Sequence, residues 1–374
     1  MRGFRRRNVL AISPLMWGLV FAAGWLWHAP PAQAAPLPTA EVLLGEALQI
    51  AGGIKEDNSR DHALGNIGGT QARVGKMGEA LETLRRIKDE GWRAYVLFSV
   101  AGAQAKAGRM SEALGTARGI TSEGHRYMAL SRIAEAQALA GRMSEALETV
   151  REIKGSSYQP VTLAAIAEIQ AKSGDRKAAE GVLSKALASA REIKTETTRA
   201  RVLARISVAR SKAGDRTGAE AVLREAYETA RGAKRDSLRA MILGSIAEGL
   251  AKAGDREGAE AALAQAIKAV QEIKEDFSRA WARPVRHMAA IAGVQARDGR
   301  MSEALKTARE IETDWMRGDA LIAVAEARAE AGDRKTAEAV LGEALANARR
   351  IKEDGFRART LAEIARVMAE MGMR

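Results

Sequence analysis

A glycine returns along this chain at a nearly fixed interval, and no other feature restricts the fold so strongly. Gly75, Gly108, Gly141, Gly174, Gly214, Gly254, Gly299, Gly332 and Gly372 are separated by steps of 33, 33, 33, 40, 40, 45, 33 and 40 residues. A length of 374 residues would ordinarily suggest two domains, but an internal period this short points to one array of stacked units. The residues after each glycine foretell the length of its unit. Lys-Met or Arg-Met, as at Lys76-Met77 and Arg109-Met110, precedes a step of 33, whereas Asp-Arg, as at Asp175-Arg176, precedes a longer one. The difference of seven residues is about two helical turns, so the second helix lengthens while its apolar face keeps its direction.

Counting back from each glycine exposes a helix. Eleven residues before it stand Leu64, Leu97, Leu130, Leu163, Leu203, Leu243, Met288, Leu321 and Leu361. Eight before stands Ile or Val, as in Ile67, Val100 and Ile133, and seven before a small residue such as Gly68 or Ala101. Positions i, i+3 and i+4 share one face of a helix, and the small residue lets a neighbouring helix approach closely. Glycine then ends the helix, because it alone adopts positive φ cheaply, and Asp175, Asp215, Asp255 and Asp333 are placed to cap the next one. Five residues after the glycine an unbroken alanine row follows (Ala80, Ala113, Ala146, Ala179, Ala219, Ala259, Ala304, Ala337), opening a second amphipathic helix. With 4% aromatics and 7 prolines the composition suits helices, so the class is all-α.

A large residue, a large-small pair three later, glycine seven beyond the small one and alanine five after that is the tetratricopeptide pattern. Leu130, Ile133-Ala134, Gly141 and Ala146 carry it in one unit, and the chain from residue 40 onward resembles that family nearly throughout. The resemblance implies a right-handed α-solenoid of stacked antiparallel helical hairpins whose first helices line a concave groove. Gln71, Gln104, Gln137, Gln170 and Gln295 stand where the family usually has an aromatic, and the unit-ending proline is missing. The stretch from Ala40 to Lys55 matches that from Ala337 to Lys352, so the array opens on a second-type helix and closes on a first-type helix. About 18 helices are expected: an opening helix, eight hairpins and a closing helix. An unpaired closing helix leaves an apolar flank at Leu361 and Ile364, for which a partner, a second copy of the chain and folding back on the previous hairpin are the alternatives.

Residues 1–34 read differently. Arg2, Arg5, Arg6 and Arg7 precede an apolar stretch from Val9 to Trp27, and Ala32-Gln33-Ala34 follows, the order of a secretory signal peptide cut before Ala35. A single repeat domain over 35–374 and a periplasmic or secreted location are therefore expected, an uncleaved membrane anchor being the alternative. Losing the leader's four arginines lowers the formal charge from +12 to +8, which suits solubility better than a specific nucleic-acid face. There is no cysteine, so thiol chemistry and disulfides are excluded. His62, His125 and His287 lie in different units, so no metal cluster is expected, and no glycine loop suits a nucleotide or dinucleotide cofactor. Neither a cofactor nor a catalytic centre is expected.

Three sets of residues are candidates for recognition. Two residues before the glycine runs a mostly basic row, Arg73, Lys106, Lys172, Lys212, Lys252 and Arg297, partly faced by Glu135, Glu168, Glu248 and Glu326 six before it. By the resemblance these positions line the groove; the family's clamp for a terminal carboxylate is absent. Fifteen before the glycine another row, Arg60, Arg93, Arg126, Arg199, Arg239, Arg317 and Arg357, suits pairing with carboxylates at the end of the preceding helix. Finally, five extra residues before Gly299 bring Trp281, Arg283, Arg286 and His287 together near Pro284, which itself suits a first helical turn. The expected function is a scaffold or adaptor that binds a protein or peptide along its groove, with a binder of acidic polymer as the alternative.

Overall fold

The computed structural model describes residues 37–231, 242–244, 246, 247, 260, 262, 264 and 282–373. Among them lie sixteen α-helices and no strand. After α1 (Ala40–Gly53) come paired long and short helices: α2 (Asp57–Arg73) with α3 (Met77–Arg85), α4 (Glu90–Lys106) with α5 (Met110–Arg118), and α6 (Glu123–Leu139) with α7 (Met143–Arg151). The longer units follow, α8 (Tyr158–Lys172) with α9 (Arg176–Arg191) and α10 (Glu196–Lys212) with α11 (Arg216–Arg231). Then come α12 (Ala282–Arg297) with α13 (Met301–Arg309), α14 (Asp314–Glu330) with α15 (Arg334–Ala348), and lastly α16 (Asp354–Glu370). The remaining hairpin of the eighteen-helix count falls between α11 and α12, largely outside the described residues.

Each hairpin is built as its glycine requires. All the register glycines among the described residues have positive φ, between +75° and +96°. The backbone N–H just beyond the glycine donates back over one turn, Lys76 to Gln71 O at 2.8 Å and Arg142 to Gln137 O at 2.8 Å, satisfying carbonyls that the helix end would leave unpaired. Asp175 and Asp333 accept from Ala178 N (3.1 Å) and Thr336 N (3.2 Å), starting the second helix. The described alanines of the row are buried because only a methyl fits between the hairpin's helices, and Leu64, Ile67, Leu130 and Ile133 fill the space beside them.

The glutamines that replace the family's aromatic act as polar locks. In each short unit the side-chain amide oxygen accepts the hydroxyl of a threonine twelve residues on: Gln71 from Thr83 (2.7 Å), Gln104 from Thr116 (2.9 Å), Gln137 from Thr149 (2.8 Å) and Gln295 from Thr307 (2.8 Å). In two units with an Asp-Arg turn, an arginine takes the glutamine's place and pairs across the turn, Arg210 with Asp215 and Arg328 with Asp333, both at 2.6 Å. Gln170 belongs to a long unit, has Val182 opposite, and its Oε1 has no partner.

First-type helices pack side by side, α2 on α4, α4 on α6, α6 on α8 and α8 on α10, then α12 on α14 and α14 on α16. Residues of α10 and of α12 share one core cluster with Ile242, Ile246 and Ala247. Second-type helices form the outer layer and meet through long charged pairs, Arg118–Glu152 (2.8 Å), Arg191–Glu225 (2.7 Å) and Arg309–Glu343 (2.8 Å).

The array closes on itself. Helix α16 packs against both α1 and α2. The open apolar flank expected at the C-terminal helix is therefore absent, for Leu361 and Ile364 are fully buried, while Leu43, Leu44, Ala47 and Ala51 of α1 are at most 3% exposed. Helix α1 is the second helix of the last hairpin, supplied from the other end of the sequence. Its Glu46 occupies the place that Glu343 holds in α15, and pairs with Arg349 at 3.5 Å, repeating the outer-layer rung.

Candidate binding site on the inner face

Positions nine, six and two before the glycine point inward from the first-type helices. Several of the large side chains there interlock between units: Lys212 reaches Glu168 (2.7 Å), Arg73 reaches Glu363 (2.8 Å), and Arg366 reaches Glu326. In α2 and α4 the sixth position is glycine instead, Gly69 and Gly102. Tyr95 fills the first gap, standing 2.7 Å from where a Cβ would project, whereas a Cβ on Gly102 would meet nothing nearer than Arg132 at 3.9 Å. A depression of about 270 Å³ opens there, walled by α16, α2, α4 and α6.

Its surface is two-sided. Phe98, Ala103, Ala136 and Leu139 supply apolar contact, and the Arg132 guanidinium lies 5.9 Å from the Phe98 ring centre. Arg132 and Lys106 are exposed and have no ion-pair partner among the described residues. Burial pushes the Glu135 carboxyl above its usual range, a cost that nearby Arg132 and Arg205 only partly offset. Arg366, at the far wall, is held firmly charged: burial opposes its charge, but Glu363 and Glu326 outweigh it. The site thus offers two free cations beside an apolar slot, with one carboxylate that resists ionisation.

The basic row divides accordingly. Arg73 is engaged by Glu363, Lys172 and Lys212 share Glu168 (3.1 and 2.7 Å), and Arg297 pairs with Glu330 at 3.1 Å. Lys106 alone of the described row has a free ammonium. Lys252 and Trp281 lie outside the described residues; Arg283, Arg286 and His287 stand in the first turns of α12, where Pro284 also falls, but their side chains are not described. Phe98, Arg132 and Leu139 went unnoticed in the sequence, although the glycines in the sixth-position row signalled the missing side chains.

The arginine row fifteen before the glycine closes helix ends, chiefly by binding carbonyls. Arg126, Arg199 and Arg357 donate to the backbone oxygens of Ile120 (3.2 Å), Ile193 (3.0 Å) and Ile351 (3.0 Å), the last residues of the preceding outer segments. Where Arg60, Arg93, Arg126, Arg317 and Arg357 form ion pairs, a carboxylate lies on the arginine's own helix three residues earlier, as in Arg317–Asp314 at 2.7 Å, and not on the preceding one. A carbonyl cannot leave the helix end, so it is the nearer acceptor. His62 packs edge-on to Trp92 (4.8 Å between centres) and His125 bonds Ser122 (2.9 Å), both structural placements. Among the described residues no acidic or histidine group could hold a metal ion, and no helix is long and apolar enough to cross a membrane.

No protein-family model matches the chain, and no curated protein does either. Solved structures with similarity include the Ton1535 protein of Thermococcus onnurineus, 17% identical over 78% of this chain and 95% of that one, with a TM-score of 0.26. A Rap protein complexed with competence and sporulation factor is 13% identical over 84% of this chain and 99% of that one (TM-score 0.35). A STAND signal-transduction ATPase with a tetratricopeptide repeat sensor, from Pyrococcus horikoshii, is 16% identical over 84% of this chain, which spans 53% of its length (TM-score 0.32). None superimposes closely enough to transfer an activity. The hairpins, their glycine turns and their alanine-lined contacts make this chain a tetratricopeptide-like, all-α helical-repeat solenoid, bent until its two ends meet.

Proposed function

We propose that the protein is an exported, non-enzymatic scaffold that binds a segment of another protein, or a peptide, on its inner face. The observation that carries this reading is the slot at Gly102, where an apolar floor lies beside the unpaired cations of Lys106 and Arg132. Such a surface suits a chain segment carrying an apolar and an acidic side chain together, since each would replace water with a matched contact. A general polyanion is less well served, because most of the basic row is already neutralised by glutamates of its own or a neighbouring unit. Export rests on the leader pattern of residues 1–34, and removal of that leader would leave the array from Thr39 intact.

The test is affinity capture from envelope extract by the chain beginning at Ala35, at low and high salt. Parallel captures use Gly102→Leu, which projects a side chain into the slot from a position where a Cβ meets nothing nearer than Arg132 at 3.9 Å, and the pair Trp281→Ala with Arg286→Ala. A discrete protein held at high salt and lost with Gly102→Leu is the expected result; loss only with the second variant would move the site to the start of α12. Heterogeneous anionic material that washes off with salt would overturn the reading in favour of a polyanion binder.

A further inference from the structure

The closure joins two surfaces that no peptide bond connects. One end presents Leu43, Leu44, Ala47 and Ala51 on α1, together with α2; the other presents Leu361, Ile364 and Met368 on α16, all buried in the closed ring. Arg349–Glu46 and Arg73–Glu363 bridge the junction, and the His62 ring meets Phe356 at 6.0 Å between centres. The first bridge has the same partners and position as the rungs between consecutive outer helices elsewhere in the array. The junction is therefore an ordinary unit-to-unit interface that lacks only its connecting turn.

Two ends that are complementary but not identical form a heterologous joint, which closes either within one molecule or between molecules. We infer that this seam is an exchangeable interaction surface whose partner is a second copy of the chain: α1 and α2 of one copy dock on α15 and α16 of another, and reciprocally. The exchanged dimer forms the seam twice, as two closed monomers do, and costs the freedom of one molecule together with the change of curvature that lets each array reach the other copy. Within a single chain the two ends meet at high effective concentration, so the monomeric ring dominates in dilute solution. Opening the seam while chains are crowded shifts the balance to the dimer.

The absence of cysteine makes the exchange directly readable. Chains carrying Glu46→Cys and chains carrying Arg349→Cys are mixed, opened by an acid pulse that protonates Glu363 at the seam, returned to neutral pH at low or high concentration, and treated with a short bismaleimide. A chain carrying both substitutions reports closure within one molecule. Cross-linked pairs of one copy of each variant, rising in yield with the concentration at neutralisation, are the expected result. If the native spectrum returns and no such pairs form, or if Arg85→Cys on exposed α3 gives the same yield as Glu46→Cys, the inference is overturned.

Discussion

If α1 is a structural member of the last hairpin, truncating its buried face must weaken the whole array and not merely fray one end. Leu43 is completely buried and Val42, its neighbour on the same helix, is 56% exposed. Replacing a fully buried leucine by alanine costs about 3–5 kcal/mol, through lost transfer energy and the cavity left behind. The same truncation at an exposed position costs under about 0.5 kcal/mol. Leu43→Ala is therefore expected to lower the urea midpoint far more than Val42→Ala at an unchanged slope, with hydrogen exchange rising in α2 and α16 as well as in α1. A rearranged chain supplies the second arm. Placing residues 38–53 after Arg374 and starting at Ile54 sets Ala40 five residues beyond Gly372, the place of the alanine row in other units. That permutant should recover nearly the full stability, whereas deletion of α1 should not. Equal effects of the two single substitutions, or a permutant no more stable than the deletion, would refute the closed ring.

Thr149→Val should cost about 1–3 kcal/mol by leaving the buried amide oxygen of Gln137 without a donor, and adding Gln137→Leu should restore most of that. Gln170→Leu, whose amide oxygen has no partner to lose, should be neutral or stabilising in the same urea assay. Gly102→Ala should stabilise α4 by up to about 1 kcal/mol, since the new methyl enters open space on a helix; destabilisation would mean the slot is not open. The seam should also respond to acid. Burial raises the Glu363 carboxyl, but Arg73 and Arg366 outweigh it and hold its folded value below the ordinary one. Its contribution is thus complete above the ordinary carboxylate range and is lost as pH falls through the folded value. A fluorescence distance between α1 and α16 should lengthen on acidification, and Glu363→Gln should remove much of that dependence; an identical profile in the variant would refute it. Glu135 has the opposite sign, because its raised value makes the ionised form costly, so Glu135→Gln should raise the melting temperature at neutral pH and do little in acid.

The hairpins were legible because they rest on local rules. A glycine that must have positive φ, an alanine that must fit between helices and an apolar i, i+3, i+4 face each leave a mark at a fixed spacing. The likeness of Ala40–Lys55 to Ala337–Lys352 even showed that the array begins on an outer helix and ends on an inner one. Whether two such half-units meet depends on small rotations summed over every intervening interface, and no single residue records that sum. The same limit applies to charge. Read along one helix, Glu168 and Lys172 form an i, i+4 pair; in three dimensions Lys212 of the next unit also reaches Glu168.

That cross-unit pairing also decides what the inner face can recognise. A row of cations looks like an anion-binding strip only while each residue is counted by itself. Once Glu363 engages Arg73, Glu168 holds Lys172 and Lys212, and Glu330 meets Arg297, attracting an anion there would mean breaking an existing pair. Little gain is left over, because the new pair would only replace one already made, and even an open surface pair is worth only about 0–1 kcal/mol. Lys106 and Arg132 need no such exchange, and they flank the place where Gly102 removes a side chain. Substituting either should weaken a bound acidic segment, whereas substituting Lys172 should not.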